Sequence, residues 1–319
     1  MSQDIEECKA VYFIQKPFTS KTEQMGCYYF NILQAVELCK IWGAAIVPPM
    51  LPLAPRDNNK VELDHTQPWE DSILEYGSIN SSEVFDYSKV KTISFNDFCR
   101  ESHLNVYSNS NNLDISGVQF TKNTKSKYFI LNMPPRWDTQ KNNEMTFYKI
   151  IYSTFPFRND ICKQNIPEWY LNISDTPFLG VHWRRGDRGN LSLGSIGKSL
   201  WYATEPDKVA MVINTYIEEH SGLSWVYIST NSGSIDDKEL IIRLVKVPVY
   251  FLKVPEGVEA LDRWKWDVTD LFMCAKAKHI ILSPGNLTTS SAFGRIILAE
   301  SMRQNIDRTQ YSFMPFIEY

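Results

Sequence analysis

The sequence predicts an α/β protein built on parallel sheets, with two Rossmann-like domains facing a cleft, and three observations carry that expectation. Between residues 178 and 303, short apolar runs alternate with helix-like segments four times, the pattern of a parallel sheet covered on both faces. Near the start, a strand, a helix and a second strand follow one another, which suggests a second α/β unit. The chain has 319 residues, 43% of them hydrophobic, enough apolar material for two cores.

Taken in order, "AVYFIQ" reads as a strand and "MGCYYFNILQAVELCKIWG" as a helix ending at Gly43. "AAIVPP" is a strand stopped by Pro48 and Pro49, and "TISFNDFC" and "YFILNMPP" are further strand candidates. Residues 53–82 and 103–127 are polar and loop-rich. The polar segment around 163–176 marks the boundary, so the expected domains are 1–170 and 171–319. In the second domain "FLGVHW" is a buried-strand run, and "EPDKVAMVINTYIEEHSG" is a helix with Pro206 and acids at its start and Gly222 at its end. "WVYIST", "VPVYFLK" and "HIILS" are strands; "DDKELIIRLVK", "VTDLFMCAKAK" and "TTSSAFGRIILAESMR" are helices. Function in such sheets collects at the C-terminal strand edges.

Net charge is −4 and the sequence pI about 5.8, which argues against a general nucleic-acid binder. Any anion site must then be local. The N-terminus is acidic where a signal peptide needs a basic segment and a long apolar core, and no apolar run approaches the length of a membrane span. The six cysteines, Cys8, Cys27, Cys39, Cys99, Cys162 and Cys274, show no CxxC spacing and read as reduced core residues. Four N-x-S/T sequons occur, at Asn80, Asn172, Asn190 and Asn286. Two of them, Asn190 and Asn286, fall in loops assigned to the site, which suggests a cytoplasmic protein.

The stretch that carries most chemistry is "FLGVHWRRGDRGN", residues 178–190. A buried strand delivers Arg184 and Arg185 to its C-terminal edge. Guanidinium groups bind phosphate in a bidentate fork and stay charged at every relevant pH. Side chains alternate along a strand, so His182 and Arg184 share one face; the plain alternative is a salt-bridge cluster at a strand end. "HIILSPGNLTTSSAFGR" gathers Ser283, Thr288, Thr289, Ser290 and Ser291 with Gly285 at a helix start, where free N–H groups and the helix dipole favour phosphate. Helix capping explains one hydroxyl there, not five. "WVYISTN" ends in Ser229, Thr230 and Asn231, facing the same crevice. Asp270 offers acceptors that suit the donors of a guanine base, or else lies on a solvated helix face. "MGCYYFN" places Asn31 after the first strand, where an amide can donate to a leaving oxygen or a sugar hydroxyl.

These residues resemble a known superfamily. "VHWRRGD" is similar to the His-x-Arg-Arg-x-Asp motif of the inverting fucosyltransferases, which span protein O-fucosyltransferases and the α1,2- and α1,6-fucosyltransferases. "VYISTN", then "DLFMCAKAKHIILSPGNLTTSSAF", follow in that superfamily's order, and "GCYYFN" with "IVPP" resembles the N-terminal motifs of protein O-fucosyltransferases. The resemblance covers most of 178–303 and short parts of the N-terminal half. It implies a GT-B architecture with GDP-fucose held by the C-terminal domain and the acceptor, a glycan or protein hydroxyl, by the N-terminal one. It makes Arg184 the arginine that grips the β-phosphate and Arg185 its companion. His182 and Asp270 fall where the guanosine is contacted, Thr289, Ser290 and Ser291 in the diphosphate-binding run, and Asn31 near the fucose. The glutamate base of some protein O-fucosyltransferases is replaced here by Tyr28.

The function expected is metal-independent, inverting transfer of L-fucose from GDP-fucose. No cofactor or metal is expected: no D-x-D motif occurs, and Arg184 would take the place of an ion. The alternatives are a noncatalytic nucleotide-sugar-binding protein and a glycosyltransferase using another GDP-sugar.

Overall fold

In the computed structural model, residues 9–14, 25–52, 78–102, 106–109, 128–132, 157–185, 194–255, 260–285, 291–305 and 310–315 are described. The chain divides into two compact units, one comprising Met1–Asp138, Ser153–Ile161 and Val258–Lys265, the other Thr139–Tyr152, Cys162–Gly257 and Trp266–Tyr319.

The first unit holds strand β1 (Ala10–Ile14), helix α1 (Met25–Ile41), β2 (Ala45–Val47), β3 (Met50–Pro52), β4 (Ser78–Asn80), α2 (Phe95–Ser102), β5 (Val106–Asn109) and β6 (Tyr128–Asn132). Four of these strands pair in parallel in the order β2-β1-β6-β5, and β3 and β4 form a separate antiparallel pair. Helix α1 forms because its apolar residues bury: Tyr29, Phe30, Ile32, Leu33, Ala35, Val36 and Cys39 are all inside. It stops in a Schellman motif. Gly43, at φ +63°, donates to the Lys40 carbonyl at 3.2 Å and Ala44 to Cys39 at 2.9 Å, the left-handed turn that glycine adopts without strain.

One expected strand is a helix. "TISFNDFC" enters α2 at Phe95, and before it the chain meets the sheet through a single parallel bridge of Thr92 to Ile46, in which the Ile93 N–H donates to the Ile46 carbonyl at 3.1 Å. The Ser94 hydroxyl decides the outcome. It accepts the Asp97 N–H at 3.0 Å and donates to the Asp97 carboxylate at 2.7 Å, capping a helix start that strand-like alternation does not reveal. Phe98 then buries edge-on against Tyr128, with ring centroids 5.8 Å apart.

Helix α3 (Asn159–Gln164) contains the division between the units, and the second unit continues with α4 (Glu168–Ile173), β7 (Phe178–Trp183), α5 (Gly194–Ala203), α6 (Pro206–Glu219), β8 (Trp225–Thr230), α7 (Ile235–Leu244), β9 (Val249–Phe251), the part of α8 (Ala260–Ala275) from Trp266 onward, β10 (His279–Leu282), α9 (Ala292–Asn305) and β11 (Gln310–Phe313). Its five strands are all parallel, in the order β11-β10-β7-β8-β9. Counted along this unit the order is 5-4-1-2-3, the doubly wound arrangement, and it reverses between β7 and β10. Ligands of such sheets bind in the crevice outside the carboxyl ends of the strands at that reversal.

Every residue of β7 is buried. Leu179, Val181 and Trp183 point to one face, where they pack with Val226, Ile228 and Ile281 against Val209, Ala210 and Ile213 of α6 and Ile241 of α7. Each such aliphatic side chain contributes about 1.5–3 kcal/mol by leaving water. Gly180 and His182 point to the opposite face. Among the described cysteines, Cys39, Cys162 and Cys274 are buried and Cys99 is exposed. Among the described residues no helix is long and apolar enough to cross a membrane.

Candidate functional site

The carboxyl end of β7 is held from both sides by side chains. The Ser283 hydroxyl, just past β10 and fully buried, donates to the His182 carbonyl at 2.7 Å and accepts the Arg184 N–H at 2.8 Å. From the other side, the Thr230 hydroxyl donates to the Trp183 carbonyl at 2.6 Å, and the side-chain Oδ1 of Asn231 accepts the Arg185 N–H at 2.9 Å. Four successive residues, 182–185, are thus fixed through their backbone, and Arg184, partly exposed, leaves the sheet from this rigid platform.

His182 lies beneath the first turn of α9. The residue is 5% exposed, its Nδ1 is 3.3 Å from the Ser283 hydroxyl, and Phe293 packs on its ring with centroids 5.7 Å apart. Gly294 makes this fit possible: a Cβ there would fall 2.9 Å from His182 Nδ1.

Asp270, on α8, faces the same side of the sheet. Tyr227 donates a short hydrogen bond to one of its oxygens, and Ser229 donates to the other at 2.5 Å. Burial, reinforced by the Asp270 charge, pushes the Tyr227 phenol well above its ordinary range, so Tyr227 stays a donor. Lys238 lies over the Phe251 ring at 5.8 Å. Burial lowers its ammonium, and the Asp270 charge opposes that shift. One carboxylate, held by two donors, therefore marks the β8 side of the sheet edge.

Solved structures resemble this chain, although no protein-family model and no curated protein match it. POFUT1, in a crystal structure in complex with GDP, matches with a TM-score of 0.60 at 12% identity, over 97% of this chain and 98% of its own. The fucosyltransferase NodZ from Bradyrhizobium matches with a TM-score of 0.52 at 16% identity, over 91% of this chain and 92% of its own. A NodZ structure described as an α-1,6-fucosyltransferase soaked with GDP-fucose gives 0.51 at 13% identity, over 92% of both chains. The chain has a fucosyltransferase-like fold. At these identities the likeness is one of fold.

On this fucosyltransferase-like fold the sequence-predicted residues occupy different settings. His182, Arg184 and Ser291 belong to the β7, β10 and α9 ends. Ser291 sits at the N-cap of α9, its carbonyl accepting the Arg295 N–H at 3.0 Å, and is 4% exposed. Thr289 and Ser290, and the sequons at Asn190 and Asn286, lie outside the described residues.

Arg185 points to the opposite face from His182 and Arg184. Its guanidinium lies 3.8 Å from the centroid of the Trp201 ring, pairs with Asp237 at 2.8 Å, and donates to the carbonyls of Thr204 at 3.1 Å and Trp201 at 3.3 Å. The protein itself supplies these partners, and only 8% of the residue is exposed.

Asn31 lies in the first unit, in the second turn of α1, three residues after Tyr28. It is 1% exposed, and neither its Oδ1 nor its Nδ2 finds a partner among the described residues. A buried amide without partners is costly, which fits a group kept for a ligand. Among the described residues no three His, Cys, Asp or Glu side chains are grouped to hold a metal ion.

Two members of the site escape sequence reasoning. Tyr227 sits mid-strand in an apolar run and reads as core. Gly294 does leave a signal: a glycine inside a helix costs about 1 kcal/mol against alanine, which marks a close approach.

Proposed function

We propose that this chain is a metal-independent, inverting fucosyltransferase that transfers L-fucose from GDP-fucose to a hydroxyl of a glycan or protein. The observation that carries the reading is Arg184, delivered at the strand-order reversal by a backbone pinned on both sides. The solved structures of this fold that contain GDP or were soaked with GDP-fucose support the choice of nucleotide.

In this reading the second unit holds GDP-fucose. The bond between the anomeric carbon and the β-phosphate oxygen breaks, and its electron pair leaves on the diphosphate. The acceptor oxygen bonds to the anomeric carbon from the opposite face and loses its proton to a base. An oxocarbenium-like sugar forms on the way. Fixed positive charge at the leaving oxygen is the most useful device for such a step. Arg184 supplies it, aided by the N-terminus of α9, with Thr289, Ser290 and Ser291 on the diphosphate. Asp270 takes the guanine donors, and His182 braces the α9 start against the strand end. Asn31 meets the sugar or its leaving oxygen. Arg185 acts from behind, holding the strand exit. The protein is taken to work in the cytoplasm, with the acceptor held by the first unit.

The test is calorimetry of GDP and GDP-fucose in EDTA, followed by donor hydrolysis across GDP-sugars. We expect binding without added metal and fastest turnover with GDP-fucose. Binding that requires Mn²⁺ or Mg²⁺ contradicts metal independence. Binding without turnover of any GDP-sugar favours the noncatalytic reading, and faster turnover of another GDP-sugar reassigns the donor.

A further inference from the structure

The partners of the β7 exit show a second feature. In a parallel ladder, a residue uses its own N–H and C=O to bridge the residues on either side of its partner. Strands β10 and β7 pair as His279 with Leu179, Ile280 with Gly180 and Ile281 with Val181, and there the pairing ends. Two steps further, the same register sets Ser283 opposite Trp183. Its backbone would then engage the His182 carbonyl and the Arg184 N–H. Instead the Ser283 hydroxyl takes both, at 2.7 and 2.8 Å. One hydroxyl thus stands in for a full rung of the ladder. It satisfies β7 while releasing the β10 main chain to turn away through Pro284, which has no N–H to give a sheet. Asn231 repeats the device from the β8 side. Pairing there ends at Trp183 with Thr230, and the Asn231 side chain, not its carbonyl, takes the Arg185 N–H.

We infer that Ser283 is a positioning residue for Arg184: its hydroxyl lets the two strands part at the reversal of strand order and at the same time fixes the backbone that carries the guanidinium. The inference rests on the proposed function. Its physical basis is that a strand end without lateral partners frays, and a charge on a frayed end is not preorganised for the transition state. Ser283→Ala removes both bonds and leaves a carbonyl and an N–H of the Arg184 platform without their partner, while changing nothing that would touch the nucleotide through a side chain of its own.

The experiment measures kcat and KM for GDP-fucose turnover, the Kd for GDP and the melting temperature, for the wild type, Ser283→Ala and Ser283→Thr. We expect Ser283→Ala to lose about 10- to 100-fold in kcat, the scale of a small misplacement of a catalytic group. Its KM and its GDP Kd should stay within about threefold of wild type, and the hydroxyl of Ser283→Thr should restore most of the loss. A wild type that does not turn over GDP-fucose overturns the proposed function and this inference with it. An active wild type whose Ser283→Ala variant turns over within about twofold overturns the inference alone. So does a kcat loss that only tracks the fraction of unfolded protein. If Ser283→Ala fails to fold, Asn231→Ala and Asn231→Asp put the same question to the other side of the exit. The aspartate keeps an acceptor for the Arg185 N–H and should keep turnover; equal turnover in both variants overturns the inference.

Discussion

The Arg185 guanidinium stacks on Trp201, pairs with Asp237 and donates to two carbonyls at the end of α5. Its neighbour Arg184 leaves the sheet on the other face with its N–H pinned by Ser283. Strand alternation separates the two, and this much was legible in "HWRRGD". What the sequence does not reveal is the setting of the second arginine, because Trp201, Thr204 and Asp237 come from segments 16 to 52 residues away. We therefore expect Arg185→Ala to act on stability first. Losing one partner of a largely buried ion pair costs about 3 kcal/mol, and GDP affinity of the folded fraction should change little. Denaturant unfolding of Arg185→Ala beside GDP calorimetry checks this. A variant that melts like wild type but no longer binds GDP would return Arg185 to the role of a phosphate ligand.

At the scale of elements, the strands with continuous apolar runs and the helices with clear periodicity were readable: β7, β8 and β10, and α1, α6 and α9. The missed elements share physical reasons. Strand β11, "QYSF", is a four-residue edge with exposed Gln310 and Tyr311 and carries no buried run. Helix α4 lies inside the polar segment expected to be a boundary, yet Trp169 stacks on Tyr250 at 4.7 Å and Tyr170 donates to the Met273 carbonyl at 3.0 Å. Two aromatic anchors outweigh a polar surround. Helix α2 was hidden by a strand-like alternation that the Ser94 cap overrides. The start of α9 gives a prediction at this scale. Replacing Gly294 by alanine should gain about 1 kcal/mol of helix propensity. The new Cβ, however, would press on His182 at 2.9 Å, and overpacking of this kind costs about 1–3 kcal/mol. We expect Gly294→Ala to melt at a lower temperature than wild type and to bind GDP more weakly, since α9 must lift off the strand end. A variant that melts higher, as an exposed helical glycine would allow, contradicts the close packing.

For the whole molecule, the alternation of strands and helices disclosed the α/β class, and the order of motifs disclosed the resemblance. The strand order of each sheet is not written in any local pattern, since it depends on which strands pair across long separations. That order matters most for function. The reversal between β7 and β10 puts the ends bearing Arg184 and Ser283 side by side, with β8 and its Asn231 on the other flank. The net charge of the chain is −4, so the proposed diphosphate would be drawn by this local arrangement and not by a basic surface. The central claim is that Arg184 neutralises a departing diphosphate there through the geometry of its fork as well as its charge. The most direct measurement is GDP-fucose turnover of Arg184→Lys and Arg184→Ala, with thermal melting of each. We expect both variants to fold like wild type, lysine to lose at least about tenfold in rate, or about 1.4 kcal/mol, and alanine to lose about 100- to 1000-fold. Near-normal turnover by Arg184→Ala, or its outright unfolding, would contradict the account and leave Arg184 as a structural residue of the strand end.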